Sequence, residues 1–375
     1  MKNSLELKDL YDGFRDAKTI KAFKKLIDDE LKDYPKTINI MEVCGGHTHT
    51  IMKYGIPQIM DRKINFIHGP GCPVCVMPKD RIDSAYTLSL QKDVILVTLG
   101  DMIKVPGSLG SLQDARSKGA DVRFVYSPLD CLKIASENRD KIIIFFAIGF
   151  ETTTPMTCAL IEQVIKNDIK NILFSINHIT VPEVMRVLVD DENCKIDAFL
   201  GPSHVSVISG SKIYEEFPLK YNKPVVVAGF EPVDVMQSIY MIVKQFKEQR
   251  ANLEIEYKRL VSYDGNIKAQ ELINRYFKKV PFKFRGIGEV ENSGYELKDE
   301  LANYNAKIVY KNILPTHEVK ENKACRCPEI LKGVAKPTDC KIFGTVCNPA
   351  NPIGSCMVSS EGACSAYYKY GNLLK

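Results

Sequence analysis

Tryptophan is absent from the 375-residue chain, and only six histidines are present. The charges nearly cancel, 51 Lys and Arg against 46 Asp and Glu, without a polybasic block of five or more. No nucleic-acid footprint or charged membrane patch is therefore indicated. Long apolar runs are missing too: Ile142 to Ile148 stops at Gly149, far short of the roughly 20 residues of a spanning helix. The first 16 residues, MKNSLELKDLYDGFRD, mix both charges on an amphipathic stretch and lack the apolar centre of a signal peptide. Neither G-x-x-x-x-G-K-[ST] nor G-x-G-x-x-G after a strand occurs, which leaves nucleotide binding unsupported. A soluble, cytoplasmic protein is expected.

What the chain has in excess is cysteine, 12 in all. A secreted disulfide framework is normally a short chain, and in a reducing compartment clustered cysteines point to metal binding or redox chemistry. At this length about two to three domains are expected.

Short runs rich in Ile, Val and Phe recur at Ile38–Val43, Ile64–His68, Val94–Leu99, Val122–Tyr126, Ile142–Ile148, Ile172–Ile176, Ile196–Leu200 and Pro224–Ala228. Most lack polar alternation, as strands covered on both faces do. Helical segments lie between them, for example after Thr152-Thr153-Thr154-Pro155, where a Thr can cap and the Pro suits the first turn. The pattern predicts an α/β fold: two Rossmann-like parallel-sheet domains, residues 36–140 and 141–260, with a cleft between them. A small irregular C-terminal domain and the connecting segments are expected to be made by 1–35 and 261–375 together. Val233 to Tyr257 reads as one long amphipathic helix, and Lys278 to Gly288 shows no strong period.

Three cysteine constellations carry chemistry. Cys44-Gly45-Gly46-His47-Thr48-His49 follows the first strand, where ligands bind in doubly wound sheets. A thiol at a helix N-terminus is a candidate thiolate, with His47 and His49 as ligands or proton carriers. Gly69-Pro70-Gly71-Cys72-Pro73-Val74-Cys75 follows the second strand, and its two cysteines can close a disulfide ring or bind one metal. Cys44, Cys72 and Cys75 are expected to converge at one sheet edge as an iron or redox site. The third constellation is the tail, Cys325, Cys327, Cys340, Cys347, Cys356 and Cys364. There 14, 6 and 16 residues separate Cys325, Cys340, Cys347 and Cys364, enough chain to wrap a [4Fe-4S] cluster, with Cys327 and Cys356 as alternates. A four-thiolate zinc site is the main competitor. Cys131, Cys158 and Cys194 read as ordinary core or surface thiols. Gly149–Pro155, Asn177-His178, Gly201–Ser206 and Gly229–Asp234 are polar motifs at strand ends and form the expected opposite wall of the cleft.

Together these motifs resemble the hydrogenase maturation protein HypD family over nearly the whole chain. The carriers are CGGHTH at 44–49, GPGCPVC at 69–75, GFETTTP at 149–155, HVS at 204–206, AGFEPVD at 228–234 and CMVSSEGAC at 356–364. Ser203 departs from the pattern, which has Gly before HVS. The resemblance implies a [4Fe-4S] domain and a scaffold with redox activity that builds the Fe(CN)2CO group of [NiFe] hydrogenases. Its implied partners are the small chaperone HypC and the cyanide donor HypE. It also implies that Cys44 is the iron ligand, shared with a Cys of HypC. Cys72 and Cys75 would be a redox-active pair that also serve as iron ligands, and His47 would orient or protonate ligands. Glu151, Glu231 and His204 would line the cleft. The competing readings are a thiol-disulfide oxidoreductase similar to ferredoxin:thioredoxin reductase, and a zinc-stabilised scaffold without chemistry.

Overall fold

All eight apolar runs become parallel strands whose ends fall within two residues of the expected ones: β1 (Ile38–Glu42), β2 (Ile64–His68), β3 (Val94–Leu99), β4 (Asp121–Val125), β5 (Ile142–Gly149), β6 (Ile172–His178), β7 (Ala198–Pro202) and β8 (Val225–Ala228). The computed structural model describes residues 12–317, 319 and 322–371, so positions 1–11 of the N-terminal amphipathic stretch lie outside the described residues. Among the described residues no helix is long and apolar enough to cross a membrane.

The strands are apolar on both faces because both faces are covered. In β5, Ile143, Phe145 and Ala147 pack into one core, while Ile144, Phe146 and Ile148 pack into another that both sheets share. In β1, Met41 faces that shared core, and Ile38 and Ile40 face a third, under the helices Ala17–Leu31 and Pro232–Lys247. The side-chain period of two sends alternate residues to opposite apolar layers, so no polar face is left to mark.

Strand membership does not follow the division at residue 140. One sheet has the order β2-β1-β7-β8-β9, with β9 at Leu253–Ile255, and the other β4-β3-β5-β6. The middle of the chain thus forms one sheet, while its early and late strands form the other. Asp197 draws β7 back to β1 by accepting from the backbone N–H and side-chain amide of Asn39, each at 2.8 Å.

Three local expectations are corrected. The helix expected over Val233–Tyr257 ends at Lys247, because Gln249 takes a left-handed conformation at φ 54°; the chain then enters β9. The segment from Lys278 is not irregular: β10 (Phe277–Phe284) and β11 (Gly288–Leu297) form an antiparallel hairpin. The Thr hydroxyls before helix Thr154–Lys166 do not cap it. Thr153 and Thr154 instead donate to carbonyls of Ile148 and Phe150 at the end of β5, 3.0 to 3.3 Å away.

Candidate functional site

In the first sheet the chain runs outward from β1 to β2 on one side and, later, from β7 to β9 on the other. The strand order therefore reverses between β1 and β7, and the crevice outside their carboxyl ends is where doubly wound sheets bind ligands. Cys44 lies just beyond β1 and His204 just beyond β7. Their side chains meet there: the Cys44 sulfur stands 4.0 Å from His204 Nδ1 and 3.9 Å from Nε2. Cys44 also caps helix Gly45–Lys53, its sulfur accepting from the Gly46 N–H at 3.4 Å.

The expected lowering of the Cys44 thiol by the helix N-terminus is overturned. Burial pushes it well above its ordinary value, and the nearby Glu361 adds to the rise. Cys44 is 4% exposed, so the desolvation of a thiolate outweighs the help of the Gly46 and His47 amides. The imidazoles around it are neutral as well: burial lowers both His47 and His204 to about 4. His47 donates from Nε2 to the Gly229 carbonyl at 2.9 Å and stacks on Phe230, centroids 4.5 Å apart, and its buried Nδ1 has no partner among the described residues. The Phe230 ring also carries His204 at 5.0 Å.

Cys72 and Cys75 lie alongside, as expected, but joined in a disulfide with Cα atoms 5.2 Å apart. Of the three cysteines expected at this edge, only Cys44 carries a free thiol. The two loops press together: the Gly45 N–H donates to the Gly71 carbonyl at 3.2 Å, and a Cβ on Gly71 would lie 2.1 Å from the Val43 carbonyl carbon. The glycines of both motifs thus allow backbone to lie on backbone.

The tail closes over this edge. Ser355 donates to the Cys75 carbonyl at 2.6 Å, and Ser359 to Asp101 beyond β3 at 2.8 Å. Behind Ser355 its cysteines gather. The sulfurs of Cys327 and Cys356 are 2.6 Å apart. Cys325 is raised first by its hydrogen bond with Cys327 and then by burial. Cys364 is raised by burial and then by the charges of Cys327, Cys325, Cys347 and Cys340. A Cβ on Gly354 would lie 2.7 Å from the Cys325 sulfur, so this glycine leaves the sulfurs their room. Among the described residues, no three His, Cys, Asp or Glu side chains stand at the spacing of a single-ion site. Cys131 and Cys158 are buried bystanders, each raised to about 12 chiefly by burial.

The remaining cleft residues separate. His204 touches Cys44. Glu231 lines a 350 Å³ cavity with Gly46 and Glu361 and accepts from Nε and Nη2 of Arg15 at 2.6 and 2.7 Å. Glu151 lines a different cavity of 340 Å³, with Glu183, Lys279 and Tyr295. It accepts from the Val181 N–H at 3.0 Å, and burial pushes its carboxyl from 4.5 to about 7. The folded state therefore holds this proton across a window where the unfolded chain has released it, and stability falls as pH rises from about 4.5 to about 7. The loss reaches about 3 kcal/mol. Glu151→Gln is expected to flatten that slope in urea unfolding; an unaltered slope would contradict the assignment.

Sequence reasoning missed one buried network. Glu42, the last residue of β1, is in register with His68, the last of β2. Its Oε1 accepts from His68 Nδ1 and from the Thr48 hydroxyl, the latter at 2.5 Å, and His68 Nε2 lies 3.0 Å from the Tyr367 hydroxyl. Burial raises the Glu42 carboxyl, opposed by His68. The available signal was a Glu and a His closing otherwise apolar strands.

Residues 18–371 match the HypD family model, described as "Hydrogenase formation hypA family". The chain is similar to hydrogenase maturation factor HypD2 of Bradyrhizobium diazoefficiens, 46% identical over 368 residues and 96% of each chain. It is likewise similar to hydrogenase maturation factor HypD of Azotobacter vinelandii, 45% over 367 residues and 96% of each. The HypD of Escherichia coli is 42% identical over 336 residues, 89% of this chain and 90% of that protein.

Proposed function

The chain belongs to the HypD family of hydrogenase maturation factors, and from that premise we propose that it assembles the Fe(CN)2CO group of [NiFe] hydrogenases at Cys44 with HypC and HypE. The observation that carries the reading is the pairing of Cys44 with His204 at the reversal point of the first sheet, beside the Cys72–Cys75 disulfide and under the cysteine-rich tail.

Iron is the substrate here, and a thiolate suits Fe(II) carrying strong-field ligands. Cys44 is protonated in its buried state, so loading iron must release its proton, and the neutral ring of His204 is the base within reach. His47, held from Gly229 and by the Phe230 ring, turns a free Nδ1 towards acceptor work. Return of the disulfide to two thiols takes two electrons and two protons, after which Cys72 and Cys75 become further iron ligands.

A [4Fe-4S] cluster held by Cys325, Cys340, Cys347 and Cys364, with Cys327 and Cys356 as alternates, would supply single electrons when bound. The donor set fits such a group: several thiols are buried so close together that ionising them together costs heavily unless a cationic metal group takes up the thiolates. Mössbauer spectroscopy of anaerobically purified protein tests this. A cubane signal is expected, and stoichiometric zinc without iron would favour the scaffold reading.

A further inference from the structure

One buried hydrogen-bonded chain touches all three sulfur motifs. Thr48 lies in the helix that follows Cys44, Glu42 two residues before Cys44, His68 four before Cys72 and Tyr367 three after Cys364. Glu42 is 1% exposed, Thr48 2%, His68 3% and Tyr367 7%. We infer that the chain Thr48–Glu42–His68–Tyr367 is a positioning device, which sets the Cys364 helix, Ala363–Tyr370, against the Cys44 and Cys72–Cys75 loops and so governs how fast the disulfide is reduced.

The apolar contacts of this helix, Ala366 and Tyr367 against Met52 and Ala363 and Cys364 in the shared core, favour burial but tolerate sliding, because burial is non-directional. Hydrogen bonds in a dry interior do not tolerate it, since a shift leaves buried polar atoms unpaired. Two donors on Glu42 Oε1 hold His68 with its Nδ1–H on the carboxylate. Nε2 is then the acceptor for the Tyr367 hydroxyl, across the boundary between the first sheet and the tail. The Tyr367 ring stands edge-on to His68 at 5.1 Å and 85°, which fixes the angle of approach. Cys364 and Tyr367, three positions apart, share a helix face. A bond at Tyr367 therefore also orients Cys364.

This inference rests on the reading that electrons reach Cys72–Cys75 from the tail. Tyr367→Phe keeps the ring and its packing and removes only the hydroxyl. Two measurements on the full-length, iron-loaded variant test it. Amide hydrogen exchange across Ala363–Tyr370 is expected to quicken about tenfold. Appearance of Cys72 and Cys75 thiols after dithionite addition is expected to slow about tenfold, with iron content and the spectrum of the reduced cluster unchanged. Parent-like exchange and rate would overturn the inference, as would a rate that falls only in proportion to lost iron. If the exchange quickens while the parent protein cannot reduce its own disulfide, the positioning stands and the electron-supply reading fails.

Discussion

Cys44→Ala is expected to abolish retention of the crevice iron by the complex with HypC while leaving the protein folded and the tail's cluster intact. Among the described residues, Cys44 is the only one of the three cysteines of the two loops with a free thiol, since Cys72 and Cys75 are bonded to each other. Without its sulfur, and with Cys72 and Cys75 bonded to each other, the His204 imidazole 3.9 Å away is a single neutral donor that cannot capture Fe(II) alone, so the iron is not there to be bound when the disulfide opens. The structural cost is small by comparison. A buried thiol replaced by a methyl group leaves a minor cavity, worth about 1 kcal/mol, and the backbone pairing of Gly45 with Gly71 survives. Iron beyond that of the cluster should therefore fall to background at nearly unchanged thermal stability. Iron content equal to the parent's would remove Cys44 from the account.

Cys347→Ala should do the reverse, losing the cubane and loosening the tail while the fold of the two sheets persists. Between helix Cys327–Leu331 and helix Ala363–Tyr370 the chain has only two single-turn 3₁₀ segments, at Pro337–Asp339 and Ser355–Met357. Such a segment buries little apolar surface of its own, and metal binding then becomes folding free energy. Loss of one of four thiolates is expected to remove essentially all cluster absorbance and to expose the tail to proteolysis. An ordinary cubane spectrum in this variant would assign the cluster to a different four of the six cysteines, with Cys327 or Cys356 among them.

The strands were legible because strands covered on both faces read as continuous apolar runs, as in Ile142–Ile148. Their partners were not. The similar rhythm of the two halves says nothing of β7 returning to β1, which depends on long-range contacts such as Asp197 with Asn39. The hairpin escaped because its register shifts between Val280 and Phe282, which breaks the alternation a strand would show. The end of helix Pro232–Lys247 escaped because Gln249 takes a left-handed conformation with no glycine to mark it.

At the site, the meeting of the two cysteine loops followed from consecutive strands ending at one edge. The state of the Cys44 thiol did not, since helix position favours a thiolate and only the packed structure shows how deeply burial opposes it. The bond between Glu42 and His68 was hidden for a related reason. A charge closing an apolar strand is an anomaly in one dimension, and it resolves into a pair only when β1 and β2 are placed in register.

Infrared spectroscopy of the anaerobically purified protein in complex with HypC tests the central claim most directly. The account predicts bands of iron-bound cyanide and carbon monoxide in the parent complex and their loss in the Cys44→Ala complex. Bands that persist without the Cys44 thiol, or iron bound at Cys44 with no such bands, would contradict it.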